Sequence, residues 1–133
     1  MTAGPVSYPA AFSVAGGIEA AWAARRAVRA LDGAVPVSVR DDVLLLVTEL
    51  VTNAVRHGGV GPDRSLDVAL ERWSHRVRVE VVEPSTGFAL APPRVREVWG
   101  GWGLTLVDRI ADRWGVSPTS SGTCVWFELR LAG

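Results

Sequence analysis

The chain has 133 residues, 48% of them hydrophobic and 21% charged, with a formal net charge of zero. That length supports one domain with a substantial core and hardly two, and the charge balance argues against a nucleic-acid surface. A single cysteine, Cys124, excludes an internal disulfide, while the lack of a long apolar run or a signal-like start at Met1-Thr2-Ala3-Gly4-Pro5 points to a cytoplasmic protein with no membrane segment.

The first fifteen residues suggest an edge strand over Tyr8 to Val14. Ile18 to Leu31 is rich in alanine and arginine, both strong helix formers, and Asp32-Gly33 closes it. On this helix Ile18, Trp22, Arg25 and Arg29 share one face, while Ala20, Ala24, Ala27, Val28 and Leu31 form a small-residue face suited to packing on a sheet. Trp beside Arg is a mixture enriched at interfaces; alternatively, Trp22 covers the edge of the core and the arginines are solvated. Ser38 is placed to cap a second helix, with Asp41 completing a capping box. This helix runs from about Val39 to His57, and Gly58-Gly59 stop it.

Two strands with one buried face follow. Ser65 to Trp73 alternates Leu66, Val68 and Leu70 with polar residues, and Arg76 to Val82 alternates Val77, Val79 and Val81 with Arg76, Arg78 and Glu80. Ser74-His75 joins them as an antiparallel hairpin. Between Glu83 and Gly101 periodicity fades and Pro and Gly accumulate, which reads as a functional loop. Gly103 to Arg113 is a third helix. Trp114 to Pro118 and Thr123 to Leu131 are the last strands, and Cys124 reads as a strand cysteine. The order gives an α+β fold: a two-layer α/β sandwich with three helices on one mixed or antiparallel sheet, in a single domain over 1–133.

The second helix carries the chemistry. Glu49 and Asn53 stand at i and i+4, so a carboxylate and a carboxamide share one face about one turn apart. A carboxylate can take a proton and an amide oxygen can hold a hard cation. Polar pairs at this spacing are also common on ordinary surface helices. Here, however, Thr48, Glu49, Thr52, Asn53, Arg56 and His57 form a stripe with little charge, and Leu45 and Leu46 intrude on it, as on a face lining a cavity. The chain has no lysine: all 14 basic residues are arginine. The P-loop and the common protein-kinase fold both require a lysine on the phosphates, so neither applies. Gly101-Trp102-Gly103-Leu104 enters a helix after the loop, where glycines let backbone amides approach an anion.

Taken in order, Glu-x-x-x-Asn on a helix, the acidic turn Glu83-Pro84-Ser85-Thr86-Gly87, the loop, and Gly101-Trp102-Gly103-Leu104 resemble the GHKL superfamily of ATP-binding (Bergerat) domains. Within it the chain is most similar to bacterial anti-sigma-factor serine/threonine kinases, through Glu49-Leu50-Val51-Thr52-Asn53-Ala54 with His57-Gly58, and Gly103-Leu104-Thr105-Leu106-Val107-Asp108 with Ala111-Asp112. The resemblance covers about residues 12–131. It implies ATP and magnesium as ligands, Asn53 as the magnesium ligand, and Glu49 as the general base toward a serine or threonine. It also implies a nucleotide site including Glu83, Gly87, Gly101, Gly103 and Leu104, with a lid over about 84–101. A sigma factor and an anti-anti-sigma protein are the implied partners, and a homodimer is compatible with it. The first glycine box departs from the family's Asp-x-Gly-x-Gly: Glu83 replaces the aspartate that accepts the adenine amino group, Ser85 replaces the first glycine, and Gly87 is retained. A non-catalytic protein that sequesters a partner, with weak or lost ATP binding, is the alternative reading.

Overall fold

A computed structural model describes residues 10–31, 35–84, 102–120 and 122–131, with backbone alone for 102–104. Its elements are β1 (Ala10–Ala15), α1 (Ala20–Ala30), α2 (Val37–Arg56), β2 (Ser65–Arg72), β3 (Arg76–Glu83), α3 (Trp102–Ile110), β4 (Arg113–Thr119) and β5 (Gly122–Arg130). The sheet order is β1-β2-β3-β5-β4, and all four pairings are antiparallel. Among the described residues, three helices on one open sheet form the expected two-layer sandwich, with the antiparallel alternative realised.

Strand alternation separates two faces. Val77, Val79, Val81 and Glu83 on β3 are buried and alternate with half-buried residues. The three valines meet Leu66, Val68 and Leu70 of β2 and Val125, Phe127 and Leu129 of β5 in one core with the helices. Asp67, Glu71, Arg76, Arg78, Glu80, Trp126 and Glu128 therefore point away from the helices, on the opposite side of the pleat. Trp73 N–H donates to Arg76 O at 2.9 Å and closes the expected hairpin.

Helix α2 is the central element. Val43, Leu46, Val47, Leu50, Val51 and Ala54 are fully buried, and both α1 and α3 pack against it. Leu46, which sits beside the polar stripe on a helical wheel, is completely buried, whereas Leu45 is 40% exposed. On α1, Ala20, Ala24 and Val28 are buried as expected. Trp22 is 58% exposed, so it is no part of the core, and Arg26 rather than Arg25 or Arg29 lies over its ring at 4.7 Å.

Two local expectations are corrected. The capping box does not form: α2 begins at Val37, Pro36 is the N-cap with no side-chain capping bond, and Ser38 lies inside the first turn. Proline has a φ suited to leading into a helix and brings no N–H of its own to satisfy, so the helix starts earlier than the serine signal suggests. The third helix ends at Ile110 rather than Arg113, because β4 pairs with β5 from Arg113 onward. At the end of α2, Gly59 takes φ +68, a left-handed conformation that favours glycine.

The burial pattern makes a paired prediction. Leu46→Ala should destabilise the domain by about 2–5 kcal/mol, the range for emptying a closed core site. Leu45→Ala, one position earlier, should cost less than about 1 kcal/mol. Chemical denaturation of both variants checks this; equal losses would mean that the two leucines do not face different environments.

Candidate functional site

The polar stripe of α2 changes character along its length. Glu49 is half-buried, whereas Asn53, one turn later, is only 4% exposed. The helix places them on one face, and packing against the sheet draws the second inward. The side-chain amide nitrogen of Asn53 is buried without a hydrogen-bond partner. An unsatisfied buried donor costs on the order of 1–3 kcal/mol. Turning the carboxamide over places its oxygen at the same point, so either assignment leaves one amide atom for a ligand.

The end of β3 supplies the next group. Glu83 is fully buried, and its backbone stands opposite Thr123 of β5. Its carboxylate lies against the turn that ends α2. A Cβ on Gly58 would come within 2.8 Å of Glu83 Oε2 and 2.6 Å of the Ala54 carbonyl oxygen. Only a residue without a side chain fits there, and Gly58 N–H also approaches the Asn53 carbonyl oxygen at 3.3 Å. The Asn53 turn and the Glu83 carboxylate thus meet at one end of the helix–sheet interface.

Thr123 lies outside the sequence motifs. It is fully buried, and its hydroxyl has no hydrogen-bond partner. It sits in the run Gly122-Thr123-Cys124-Val125-Trp126-Phe127, which reads simply as strand. The available signal was its inward register: Thr123 shares a parity with Val125 and Phe127, so a hydroxyl is directed toward the core. Cys124, on the opposite parity, is no nucleophile. Burial, reinforced by Glu80 and opposed by Arg78, pushes its thiol up to about 11, so it is protonated at neutral pH.

Gly103 and Leu104 lie in the first turn of α3, which packs against α2 and buries Val107 in the core. Gly87, Gly101 and the expected lid from residue 85 onward lie outside the described residues. Among the described residues no group of three or more His, Cys, Asp or Glu could hold a metal ion. Magnesium bound with a nucleotide needs only one or two protein ligands besides phosphate oxygens and water, and an amide oxygen at Asn53 fits that requirement.

A helix bearing a carboxylate and a buried amide, beside a buried acid at a strand end, is the arrangement on which the resemblance to ATP-binding domains rests. The model of the histidine kinase-like ATPase domain matches residues 17–129. The chain belongs to that family. No curated protein sequence matches the chain. Among solved structures, the RsbU and RsbW domains of Rv1364c from Mycobacterium tuberculosis match with a TM-score of 0.68 at 22% identity, over 94% of this chain. This chain spans only 32% of that one, and at such identity the likeness is one of fold. In this histidine kinase-like ATPase domain, then, Asn53, Glu83 and Thr123 bring three buried polar groups to the helix–sheet interface.

An orphaned hydroxyl gives a test that needs no ligand. Thr123→Val keeps the shape and removes the unsatisfied group, so the nucleotide-free protein should gain about 1 kcal/mol of stability. The midpoint of urea unfolding reports it. A loss of stability would show that the hydroxyl is already satisfied within the protein.

Proposed function

We propose that this domain binds ATP with magnesium and phosphorylates a serine or threonine on a protein partner, as an anti-sigma factor does with an anti-anti-sigma protein in the cytoplasm. The observation that carries the reading is the pairing on α2 of half-buried Glu49 with buried, unsatisfied Asn53, in a chain that belongs to the histidine kinase-like ATPase family.

The residues would divide the work as follows. Asn53 would hold the magnesium ion, whose charge would offset that of the phosphate oxygens. Glu83 and Thr123 would face the base of the nucleotide: a buried acceptor reads an exocyclic amino group, and a hydroxyl can either donate or accept. Gly87, Gly101, Gly103 and Leu104 would border the phosphates. Glu49 would take the proton of the incoming hydroxyl as its oxygen bonds to the γ-phosphorus. The bond from that phosphorus to the bridging oxygen then breaks, and ADP leaves.

A second reading, a partner-sequestering protein with weak or lost nucleotide binding, is favoured by the altered first box. Glutamate at position 83 is one methylene longer than aspartate, and Ser85 stands where the family has glycine. The close fit of Glu83 against Gly58 supports the first reading, because space for the longer side chain exists at the α2 turn. Under both readings α1 is the proposed partner surface, with Ile18 98% exposed and Trp22 58% exposed beside Arg26. Sigma-factor and anti-anti-sigma partners, or a second copy of the chain, are the candidates there.

The two active-site residues should separate kinetically. Glu49→Ala should abolish transfer of labelled phosphate to the partner while leaving ATP affinity within a fewfold of wild type. Asn53→Ala should weaken both, because a metal ligand acts in the ground-state complex as well. Equal transfer by wild type and Glu49→Ala would remove Glu49 from the mechanism. ATP binding without transfer in every form would leave the sequestering reading.

A further inference from the structure

The sheet face turned away from the helices carries a constellation that the nucleotide site does not use. Glu128 on β5 is only 6% exposed although it points away from the described helices. Three guanidinium groups gather on its carboxylate: Arg78 Nη1 at 3.1 Å, Arg113 Nη1 at 3.7 Å and Arg76 Nη1 at 4.0 Å. Arg78 is also held by Glu80 at 2.9 Å. Two of these arginines are further fixed by stacking, Arg76 over Trp73 at 4.5 Å and Arg78 over Trp126 at 4.1 Å.

Beside this network is a cavity of about 150 Å³ lined by His75, Arg76, Asp112, Arg113, Glu128 and Arg130. Its two carboxylates are already engaged. Glu128 binds the arginines, and Asp112 Oδ2 accepts the Arg130 backbone N–H at 2.5 Å. With Arg78 balanced by Glu80, three arginines (Arg76, Arg113, Arg130) and two acids (Glu128, Asp112) line the opening. One positive charge is in excess, and the volume suits one side-chain-sized group. Long surface side chains lose conformational entropy on binding, but Arg76 is already immobilised by Trp73 and Glu128, which lowers that cost.

We infer that this corner of the open sheet face binds an acidic segment of a protein partner, with one carboxylate entering the cavity between Arg76, Arg113 and Arg130. Charge complementarity selects an acidic occupant, and the Trp and Arg surround is the composition of interface hot spots. The corner is distinct from the proposed nucleotide site. Arg76 and Glu83 begin and end β3, roughly 23 Å apart for an extended strand, and their side chains lie on opposite faces of the sheet. The inference therefore does not depend on ATP binding.

A short poly-glutamate peptide and inorganic phosphate, each titrated into the intact protein by calorimetry, test it. The peptide should bind at low salt, weaken as salt rises, and lose about tenfold in affinity in the Arg113→Ala, Arg130→Ala variant. The Arg25→Ala, Arg29→Ala variant, which alters the basic α1 surface instead, should bind like wild type. Arg113 is 68% exposed, so Arg113→Ala alone carries the test if the double variant does not fold. The inference is overturned by absence of peptide binding or by equal losses in the α1 variant. It is also overturned by phosphate alone binding as tightly as the peptide, which would make the cavity a small-anion site. Sedimentation that shows a dimer broken by the Arg113 and Arg130 changes would overturn it in favour of a second copy.

Discussion

Burying a carboxylate between a helix and a sheet is costly unless the surroundings are shaped for it, and Glu83 is fully buried at the end of β3. The surrounding structure is arranged about that group. Gly58 leaves room beside the carboxylate, Gly59 turns the chain away from α2, and Thr123 stands across from it on β5. An apolar core would fill such a position with another valine, as β3 does at residues 77, 79 and 81. Polar groups retained at the edge of so hydrophobic an interface, two of them with an atom lacking a protein partner, are suited to a ligand that completes their hydrogen bonds.

Helix α2 joins stability to that site. Its buried face holds the core together, with Leu46, Leu50 and Val51 fully enclosed, and the same rigid helix fixes the spacing of Glu49 and Asn53. Under the proposed function, side chains on a helix locked by its own packing would need little reorganisation on ligand binding. The sheet divides its faces in a corresponding way. Among the described residues the helix side is apolar except at the α2–β3–β5 junction, while the other side carries stacked and ion-paired arginines. Those pairs cover Trp73 and Trp126, so part of their role is to shield aromatic surface from water.

Much of this was legible in the sequence because it rests on short-range pattern. The alternation of Leu66, Val68 and Leu70 against Val77, Val79 and Val81 fixes two strands and their buried faces, and Ser74-His75 fixes their hairpin. The Glu49–Asn53 spacing, with the acid at Glu83 and the glycines before α3, pointed to the family that the match over residues 17–129 shows. The less legible features depend on tertiary context. Thr123 has no spacing partner in sequence; its importance arises only when β5 is placed beside β3, opposite Glu83. Leu46 looked like an intruder on a polar stripe until the packing around α2 enclosed it. The capping signal at Ser38 was overridden by Pro36, and the end of α3 by strand pairing at Arg113. Gly87 and Gly101 lie outside the described residues, so their place beside the phosphates rests on the resemblance.

The central claim is that the buried polar groups at the α2–β3–β5 junction form a nucleotide site. Isothermal titration of the intact protein with ATP in the presence and absence of magnesium, followed by the same titration with ADP and GTP, measures it directly. The account predicts saturable, magnesium-dependent binding of adenine nucleotides with weaker binding of GTP, since an acceptor at Glu83 pairs with an amino group that guanine does not present at the same position. Absence of heat with any of the nucleotides at millimolar concentration, magnesium included, would contradict it.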